Sequence, residues 1–143
     1  GQVLLRVIGG KAPKIPNIEV EEIPWSEETE VHYINSFDIG VMPLEDDEWS
    51  KGKCAFKLLQ YMACELPVIA SNVGANIDVV SSDCGYLVDN DLAWIDAMRS
   101  LRDNLEQRSS FGKNGRKKVI QSYSLKSNLP ILIKAIKNIS IKI

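Results

Sequence analysis

The amino-acid sequence predicts an α/β layered domain built on a parallel sheet. Short apolar runs rich in β-branched residues alternate with longer segments of helical period, a pattern typical of parallel strands joined by helical crossovers. The length of 143 residues, with 45% hydrophobic and 25% charged residues, fits one globular domain with a single core. The sequence has no visible domain boundary and no apolar run long enough to cross a bilayer.

The amino-terminal part is predicted to form two strands and one helix. Residues 3–8 and 18–23 have the β-branched character of strands, and a loop with two prolines joins them. Ser26 is expected to cap a helix that reaches Asn35. The acidic residues of its first turn interact favourably with the helix dipole.

The central part is predicted to alternate between strands and helices. Residues 37–42 have the character of a buried parallel strand, which stops at an acidic, solvated loop over residues 44–49. A helix is expected from Gly52 to about Cys64. The remaining elements are a strand at 67–70, a turn at 71–76, a short helix at 77–80 and a strand at 85–88.

From Asp91 onward, the hydrophobic period is helical. Asp91 is expected to cap the first of three helices, whose apolar stripe should face the core. A second helix is predicted over residues 109–123 and a third over residues 125–139, interrupted by Pro130, which is tolerable only near a first turn. The apolar stripe of the first helix consists of Leu92, Ile95, Met98, Leu101 and Leu105.

The predicted helix that begins at Gly52 places positive charge where a phosphate can bind. The first N–H groups of a helix have no internal partner and carry the positive end of its dipole, and Lys53 and Lys57 add to it. Since Lys53, Lys57 and Gln60 follow helical spacing, we expect a polar stripe that points at a nucleotide or a nucleotide-linked compound. The expected core face of this helix consists of Phe56, Leu59 and Met62 or Ala63.

Six short segments from residue 37 onward occur in a characteristic order. They are FDIGVMPL, KCAFKLLQYMAC, LPVIAS, NVGANIDVV, GYLV and GKNGRKKVIQSYS. Together they resemble the donor-binding domain of retaining glycosyltransferases of family 4, also called glycosyltransferase group 1, and the run over residues 51–71 is the most specific part. The resemblance implies a Rossmann-like three-layer domain, the C-terminal half of a GT-B fold, that binds a nucleoside diphosphate sugar.

Two positions depart from this family. Its members usually carry two glutamates, the first of which contacts the donor sugar and the second the ribose hydroxyls, and these positions are Gly52 and Gln60 here. Gln60 keeps an acceptor oxygen and gains an NH₂ donor, so it can still form hydrogen bonds with a ribose diol. Gly52 leaves the contact with the donor sugar unassigned, and the catalytic residue remains unknown.

The resemblance and the predicted helix end together give a set of candidate donor-binding residues. A structural alternative stays open for each: the lysines are solvated, Gln60 lies on a wet helix face, and residues 74–76 form an ordinary turn with Asn76 as a cap. We infer a nucleotide-binding role for that turn from its position after a strand, where open α/β sheets bind ligands. The set consists of Gly52, Lys53, Lys57, Gln60, Gly74, Ala75 and Asn76.

Other kinds of site are not predicted. Cys54, Cys64 and Cys84 have no paired spacing, and their odd number argues against a disulfide framework. His32 has no second ligand nearby and the acidic residues 45–48 would not converge on a cation, so we expect no metal and no cofactor besides the donor substrate. The formal charge of −2 gives no overall attraction to nucleic acid, so we expect no such partner.

The resemblance also implies partners. The family's amino-terminal domain, which holds a glycan or lipid-linked acceptor, and the basic pair that grips the diphosphate are missing from this sequence, so we expect a fragment that is inactive alone. We expect it to belong to a cytoplasmic enzyme of cell envelope polysaccharide biosynthesis. The basic residues 116–118 suggest a peripheral contact with the inner face of the membrane.

Two other function classes stay open. The loss of both glutamates fits a non-catalytic nucleotide-sugar-binding or scaffolding module with the same fold. A flavodoxin-like or receiver-type domain would instead need an acidic cluster at its strand ends, of which Asp46 and Asp47 are a faint version.

Overall fold

The computed structural model describes residues 3–140. Within this range, the chain divides into two compact units, one that ends at Ser36 and one that starts at Phe37. The expectation of a single donor-binding domain over residues 1–143 stays a prediction.

The first unit contains two parallel strands and one helix. Strands β1 (Leu4–Ile8) and β2 (Glu19–Ile23) pair residue by residue along their whole length, and both strand predictions are confirmed. Helix α1 (Glu27–Ile34) begins after Ser26, but the side chain of Ser26 forms no capping hydrogen bond. Its backbone carbonyl accepts the N–H groups of the first turn instead, so the predicted side-chain cap is wrong.

The second unit is built on a parallel three-stranded sheet. Strands β3 (Gly40–Met42), β4 (Val68–Ser71) and β5 (Gly85–Val88) lie in that order, so that β4 is the central strand. All four residues of β4 are buried, which explains why this strand is apolar almost throughout. The strand predicted over residues 37–42 is shorter than expected, because only its last three residues pair with β4.

Six helices and one π-helical turn belong to the described part of the second unit. The helices are α2 (Glu48–Lys51), α3 (Phe56–Ala63), α4 (Asn76–Val79), α5 (Asp91–Asp103), α6 (Leu105–Lys118) and α7 (Leu125–Ser140), and the π-helical turn covers Val119–Tyr123.

Asparagine side chains set the starts of two helices. Asn90, rather than the predicted Asp91, caps α5 by accepting the N–H of Ala93 at 3.0 Å. Asn104 caps α6 in the same way, so this helix starts at Leu105 rather than at residue 109. Asparagine is favoured at this position because its side-chain oxygen satisfies an N–H group that the helix itself leaves unpaired.

Helix α7 runs without interruption through Pro130, contrary to the prediction. Pro130 lies in the second turn of the helix, where its missing N–H removes one helical hydrogen bond. The helix therefore presents one continuous surface from its first to its last turn.

Buried side chains cover both faces of the three-stranded sheet. Val68 and Ala70 of β4 share one cluster with Met62 of α3. Ile69 shares a second cluster with Leu101 of α5. Because alternate residues of a strand point to opposite faces, β4 is packed between helices on both sides, and the predicted three-layer arrangement is confirmed.

Two of the predicted core faces are wrong in part. In α3, Phe56 is exposed, whereas Leu58 and Met62, four residues apart, are buried. In α5, the buried pair is Ala97 and Leu101, because the stripe with this spacing faces the sheet. The other predicted members of the α5 stripe are exposed, namely Leu92, Ile95, Met98 and Leu105.

Helix α6 packs closely on the carboxyl end of α3 through two glycines. A Cβ atom on Gly112 would overlap the carbonyl oxygen of Glu65, and one on Gly115 would lie 3.2 Å from Cγ of Met62. Arg116 reinforces this contact by donating a hydrogen bond to the carbonyl of Ala63 at 2.5 Å. Glycine is needed at position 112 because the backbone of another segment occupies the place of a side chain.

We expect Gly112→Ala to destabilise the protein, although alanine is favoured over glycine in helices by about 1 kcal/mol. The added methyl group overlaps the Glu65 carbonyl, so α6 must move away from α3, with an expected loss of about 1–3 kcal/mol in the free energy of unfolding. Denaturant titration followed by circular dichroism measures this loss. Lys113→Ala, at an exposed position of α6, is the control, and a Gly112→Ala variant as stable as this control would contradict the close packing.

Candidate functional site

The loops that follow β3 and β4 meet at the carboxyl edge of the sheet. The hydroxyl of Ser71, at the end of β4, accepts a hydrogen bond from the N–H of Leu44 at 2.8 Å, which joins the two loops. The side-chain amide of Asn76 donates to the carbonyl of Ser71 at 3.0 Å and braces the second loop. Because open parallel sheets bind ligands beyond the carboxyl ends of their strands, this edge is the candidate site.

The acidic segment after β3 forms the capped helix α2 rather than the expected solvated loop. Asp47 is the N-cap residue, and its Oδ1 accepts the N–H of Ser50 at 2.6 Å. This backbone hydrogen bond is the main reason why the pKa of Asp47 lies below its ordinary value. The stabilising effect of the cap is therefore present above the ordinary aspartate pKa and is lost as the pH falls through the lowered value.

Lys51, the last residue of α2, pairs with two acidic neighbours. Its Nζ lies 3.1 Å from Oδ1 of Asp46 and 3.3 Å from Oε1 of Glu48. Hydrogen bonds to these carboxylates, first to Asp46, raise the pKa of Lys51. The positive charge of Lys51 is therefore compensated by carboxylates at the start of α2 and just before it.

Gly52 ends α2 and does not begin the next helix, so the predicted helix start is wrong. Helix α3 starts at Phe56, after Ala55, whose φ of 54° lies in the left-handed region. Ala55 carries no side-chain oxygen, and no side chain caps the helix at this position. The positive end of the α3 dipole thus lies at Phe56 and Lys57, one helical turn later than the sequence predicts.

The structure separates three polar residues that the sequence places on one helical stripe. Lys57 and Gln60 both lie on α3, three residues apart and therefore on adjacent positions of one face. Lys53 lies in the turn before the helix, so its assignment to the stripe is wrong. Both lysines are exposed, whereas Gln60 is half-buried and its Oε1 oxygen is buried. The roles of all three in donor binding stay predictions.

Gly74 packs directly against the end of α2, beside Gly52. Its φ is +54°, and a Cβ atom at this position would lie 2.9 Å from Cα and 3.0 Å from the carbonyl oxygen of Lys51. Both the dihedral angle and the space therefore require glycine. This contact places Gly74 against the residue that precedes Gly52, although the sequence separates these two predicted donor-binding residues widely.

The two residues after Gly74 are held in position by contacts inside the protein. Ala75 is the N-cap residue of α4 and is half-buried against the cluster that contains Met62. Asn76 is the first residue of α4 and is only 1% exposed, so the alternative in which Asn76 is the cap is wrong. Since its side-chain amide bonds to the Ser71 carbonyl, Asn76 holds the shape of the loop around Gly74.

Two residues that shape this edge are absent from the predicted set. Ser71 connects the loops, and Asp47 fixes α2. The pattern of an aspartate three residues before Ser50 is a recognisable helix-capping signal, so α2 was within reach of sequence reasoning. The bond from Leu44 to Ser71 spans two loops and carries no local sequence signal. Trp49 of α2 is 80% exposed at the same edge.

Residues 3–140 offer neither a metal centre nor a membrane span. No group of three or more histidine, cysteine, aspartate or glutamate side chains in this range is placed to hold a metal ion. None of the described helices combines the length and the apolar character that a membrane-spanning helix needs.

A family comparison assigns the chain. The model of the family described as "Glycosyl transferases group 1" matches residues 2–104, which is well over half of the sequence. The chain belongs to this family. The resemblance inferred from the ordered segments is therefore confirmed, and the receiver-type alternative is wrong. Curated proteins give no significant match.

Solved structures of low sequence identity share the fold of this glycosyltransferase chain. Sucrose-phosphate synthase from Thermosynechococcus elongatus superposes with a TM-score of 0.75 at 20% identity, over 100% of this chain and 39% of the synthase. HepE from Anabaena, in complex with UDP, has a TM-score of 0.64 at 14% identity, over 84% of this chain and 32% of HepE. A further HepE structure contains UDP-glucose.

A third structure is itself a C-terminal domain. The C-terminal domain of the group 1 glycosyltransferase LpcC from Francisella tularensis has a TM-score of 0.62 at 21% identity, over 75% of this chain and 55% of that domain. These likenesses confirm that this chain has the α/β fold of GT-B glycosyltransferases. The chain spans less than two thirds of the length of each of these structures.

We expect Gly74→Ala to be far more harmful than Gly52→Ala. Alanine at position 74 adopts a left-handed φ and clashes with the Lys51 backbone, with an expected loss of about 1–3 kcal/mol in the free energy of unfolding. At position 52, the new Cβ atom lies 3.5 Å from the nearest carbonyl and φ is −78°, so we expect a change below about 0.5 kcal/mol. Thermal and denaturant unfolding of both variants test this difference, and equal losses would contradict the Gly74 contact.

Proposed function

We propose that this chain is the nucleotide-sugar-binding domain of a retaining glycosyltransferase, which transfers a hexose-type sugar from a nucleoside diphosphate to a glycan or lipid-linked acceptor. One observation carries the proposal: at the carboxyl edge of a parallel sheet, the turn at Gly74 lies against the backbone of Lys51, the residue before Gly52. Membership in the group 1 glycosyltransferases supports the assignment of this edge to a donor nucleotide.

The beginning of α3 supplies the chemistry that a diphosphate leaving group needs. Negative charge grows on the diphosphate as the glycosidic bond breaks, so fixed positive charge nearby lowers the barrier. The amino end of α3 carries the positive end of the helix dipole, and Lys57 lies in its first turn. Lys53 adds a second positive charge in the turn before it.

The other residues of the proposed site contribute positioning. Gln60 lies one helical turn after Lys57 and is assigned to the ribose hydroxyls, since an amide offers both an acceptor and a donor. Gly74 and Ala75 offer backbone groups to the nucleotide, since they follow the carboxyl end of β4, where open sheets bind ligands. Asn76 acts through Ser71 as a positioning residue.

The identity of the nucleotide and the partners are further parts of the proposal. Because the HepE neighbours contain UDP and UDP-glucose, we propose a uridine nucleotide as the first donor to test. Transfer itself requires an acceptor-binding domain that completes the cleft, so the present chain alone is expected to bind but not to transfer. We place the enzyme in the cytoplasm, at the surface of a membrane, in cell envelope polysaccharide biosynthesis.

Calorimetric titration of the chain with UDP, GDP and ADP tests the proposal. We expect UDP to bind, and Lys57→Ala to weaken its affinity about tenfold, because a charge-assisted hydrogen bond to phosphate contributes about 1.5–3 kcal/mol and solvent screens part of it. Lys113→Ala removes an equally exposed positive charge from α6 and serves as the matched control. Failure of all three nucleotides to bind at millimolar concentration would refute the proposal, as would equal effects of the two substitutions.

A second candidate is a non-catalytic nucleotide-sugar-binding or scaffolding module. Gly52 and Gln60, at positions where relatives usually carry glutamates, favour it, because neither supplies a negative charge to the donor. Both candidates predict nucleotide binding, so transfer must be measured with the acceptor-binding domain present. Donor binding together with a complete absence of transfer, and of slow donor hydrolysis, would favour the module.

A further inference from the structure

Trp49 is held out into solvent at the carboxyl edge of the three-stranded sheet. Its exposure of 80% is the highest among the large hydrophobic side chains of residues 3–140. Tryptophan is on average highly buried in proteins, so this exposure is unusual. A second aromatic residue of the same segment, Phe56 at the start of α3, is also exposed. Exposed aromatics beside a proposed phosphate site indicate a ligand that has an apolar face.

The backbone beneath Trp49 is fixed although the side chain is exposed. Asp47 caps α2, and its carbonyl accepts the N–H of Lys51 at 3.0 Å. The carbonyl of Trp49 accepts the N–H of Gly52 at 3.2 Å, and the turn at Gly74 packs against Lys51. The indole is therefore presented from a rigid turn, and little conformational entropy is lost when a ligand orders its two side-chain torsions.

The surroundings of Trp49 favour a sugar over a protein surface. Lys51 forms ion pairs with Asp46 and Glu48, and all three side chains are exposed within three residues of Trp49. A protein that covered Trp49 would have to desolvate these charges, and charged residues are depleted in the cores of protein interfaces. A sugar suits both features, because its C–H groups pack on an aromatic face while its hydroxyls donate hydrogen bonds to carboxylates.

The order of groups in a nucleoside diphosphate sugar places the sugar on the α2 side of α3. Gln60, assigned to the ribose, lies one helical turn after Lys57, which is assigned to the diphosphate together with the amino end of α3. The sugar is bonded to the opposite end of the diphosphate from the ribose, so it extends past the start of α3 and away from Gln60. The chain that precedes α3 on that side is α2, which carries Trp49.

The turn between α2 and α3 has no side-chain oxygen with which to hold sugar hydroxyls. Residues 52–55 are glycine, lysine, cysteine and alanine. Of these, lysine only donates hydrogen bonds and the thiol of cysteine is a weak acceptor. An aromatic face next to the turn supplies the contact area that these side chains lack.

We propose that Trp49 is the sugar-stacking residue of the donor site, where its indole packs against the C–H face of the hexose that is transferred. The inference rests on the proposed nucleotide-sugar site and names the side chain that recognises the sugar. Stacking raises the affinity for the nucleotide sugar without affecting the nucleotide alone. It also sets the plane of the hexose ring relative to the diphosphate.

Calorimetric titration of the chain with UDP and with UDP-glucose tests this role. We expect Trp49→Ala to weaken UDP-glucose binding about tenfold, because the hexose loses its stacked aromatic partner. The affinity for UDP should change by less than about twofold, because UDP has no hexose to stack. Leu92→Ala truncates a side chain of α5 that is 74% exposed, and this control should change neither affinity.

Two further variants separate an aromatic face from apolar area alone. Trp49→Phe keeps an aromatic ring, whereas Trp49→Leu keeps an apolar side chain without one. We expect Trp49→Phe to retain the UDP-glucose affinity within about threefold and Trp49→Leu to lose most of it. In NMR spectra, the hexose C–H protons of bound UDP-glucose should shift upfield in the ring current of the indole. Trp49→Leu should abolish this shift, which a merely structural role of Trp49 would not produce.

The outcomes separate the stacking role from the donor site itself. Absence of binding of both ligands to the wild type would refute the donor site and the stacking role with it. Binding of both ligands with equal losses in Trp49→Ala would overturn the stacking role alone, and circular dichroism of the same samples excludes unfolding. Unchanged affinities for both ligands would also overturn it. A raised KM for the acceptor in Trp49→Ala, measured with the acceptor-binding domain present, would then assign Trp49 to the acceptor instead.

Discussion

The central position of β4 is the constraint on which the second unit depends. Its backbone pairs with β3 on one side and β5 on the other, and all four of its side chains are buried. Successive side chains of a strand point to opposite faces of the sheet. Because all four are buried here, helices must cover both faces. The carboxyl end of β4 is fixed as a consequence, and Ser71 there joins the loop after β3 to the loop that contains Gly74. The geometry of the candidate site thus follows from the burial of one short strand.

The strands and the general site were accessible from the sequence because their signals are local. The apolar runs that form β4 and β5 are flanked by turn residues, and Gly74 follows a strand end, where ligands commonly bind. The start of α3 was not accessible. The sequence predicts a helix that begins at Gly52, whereas the structure places the boundary at Ala55, a residue other than glycine with a positive φ. No local pattern predicts such a residue, which is buried in the core cluster with Leu58 and Met62.

The exposed stripes show a second limit of sequence reasoning. Periodicity reveals that a helix has an apolar face, but it does not reveal which surface covers that face. In α5, Ala97 and Leu101 are buried against the sheet, whereas Leu92 is exposed. In α7, every residue from 128 to 139 is exposed. The roles of Lys57 and Gln60 likewise depend on a bound nucleotide, so the fold alone fixes their positions and not their function.

The contact between Gly74 and Lys51 has an unequal effect on the two positions in evolution. It is made by the backbone of Lys51, which every amino acid possesses, while at Gly74 it occupies the space of a side chain. Position 51 is therefore free to drift among related sequences, whereas position 74 is confined to glycine. An alignment of close relatives should show an invariant column beside a variable one, although the two residues touch. Covariation between them would be absent for the same reason, and this physical contact would go unseen by methods that infer contacts from correlated substitutions.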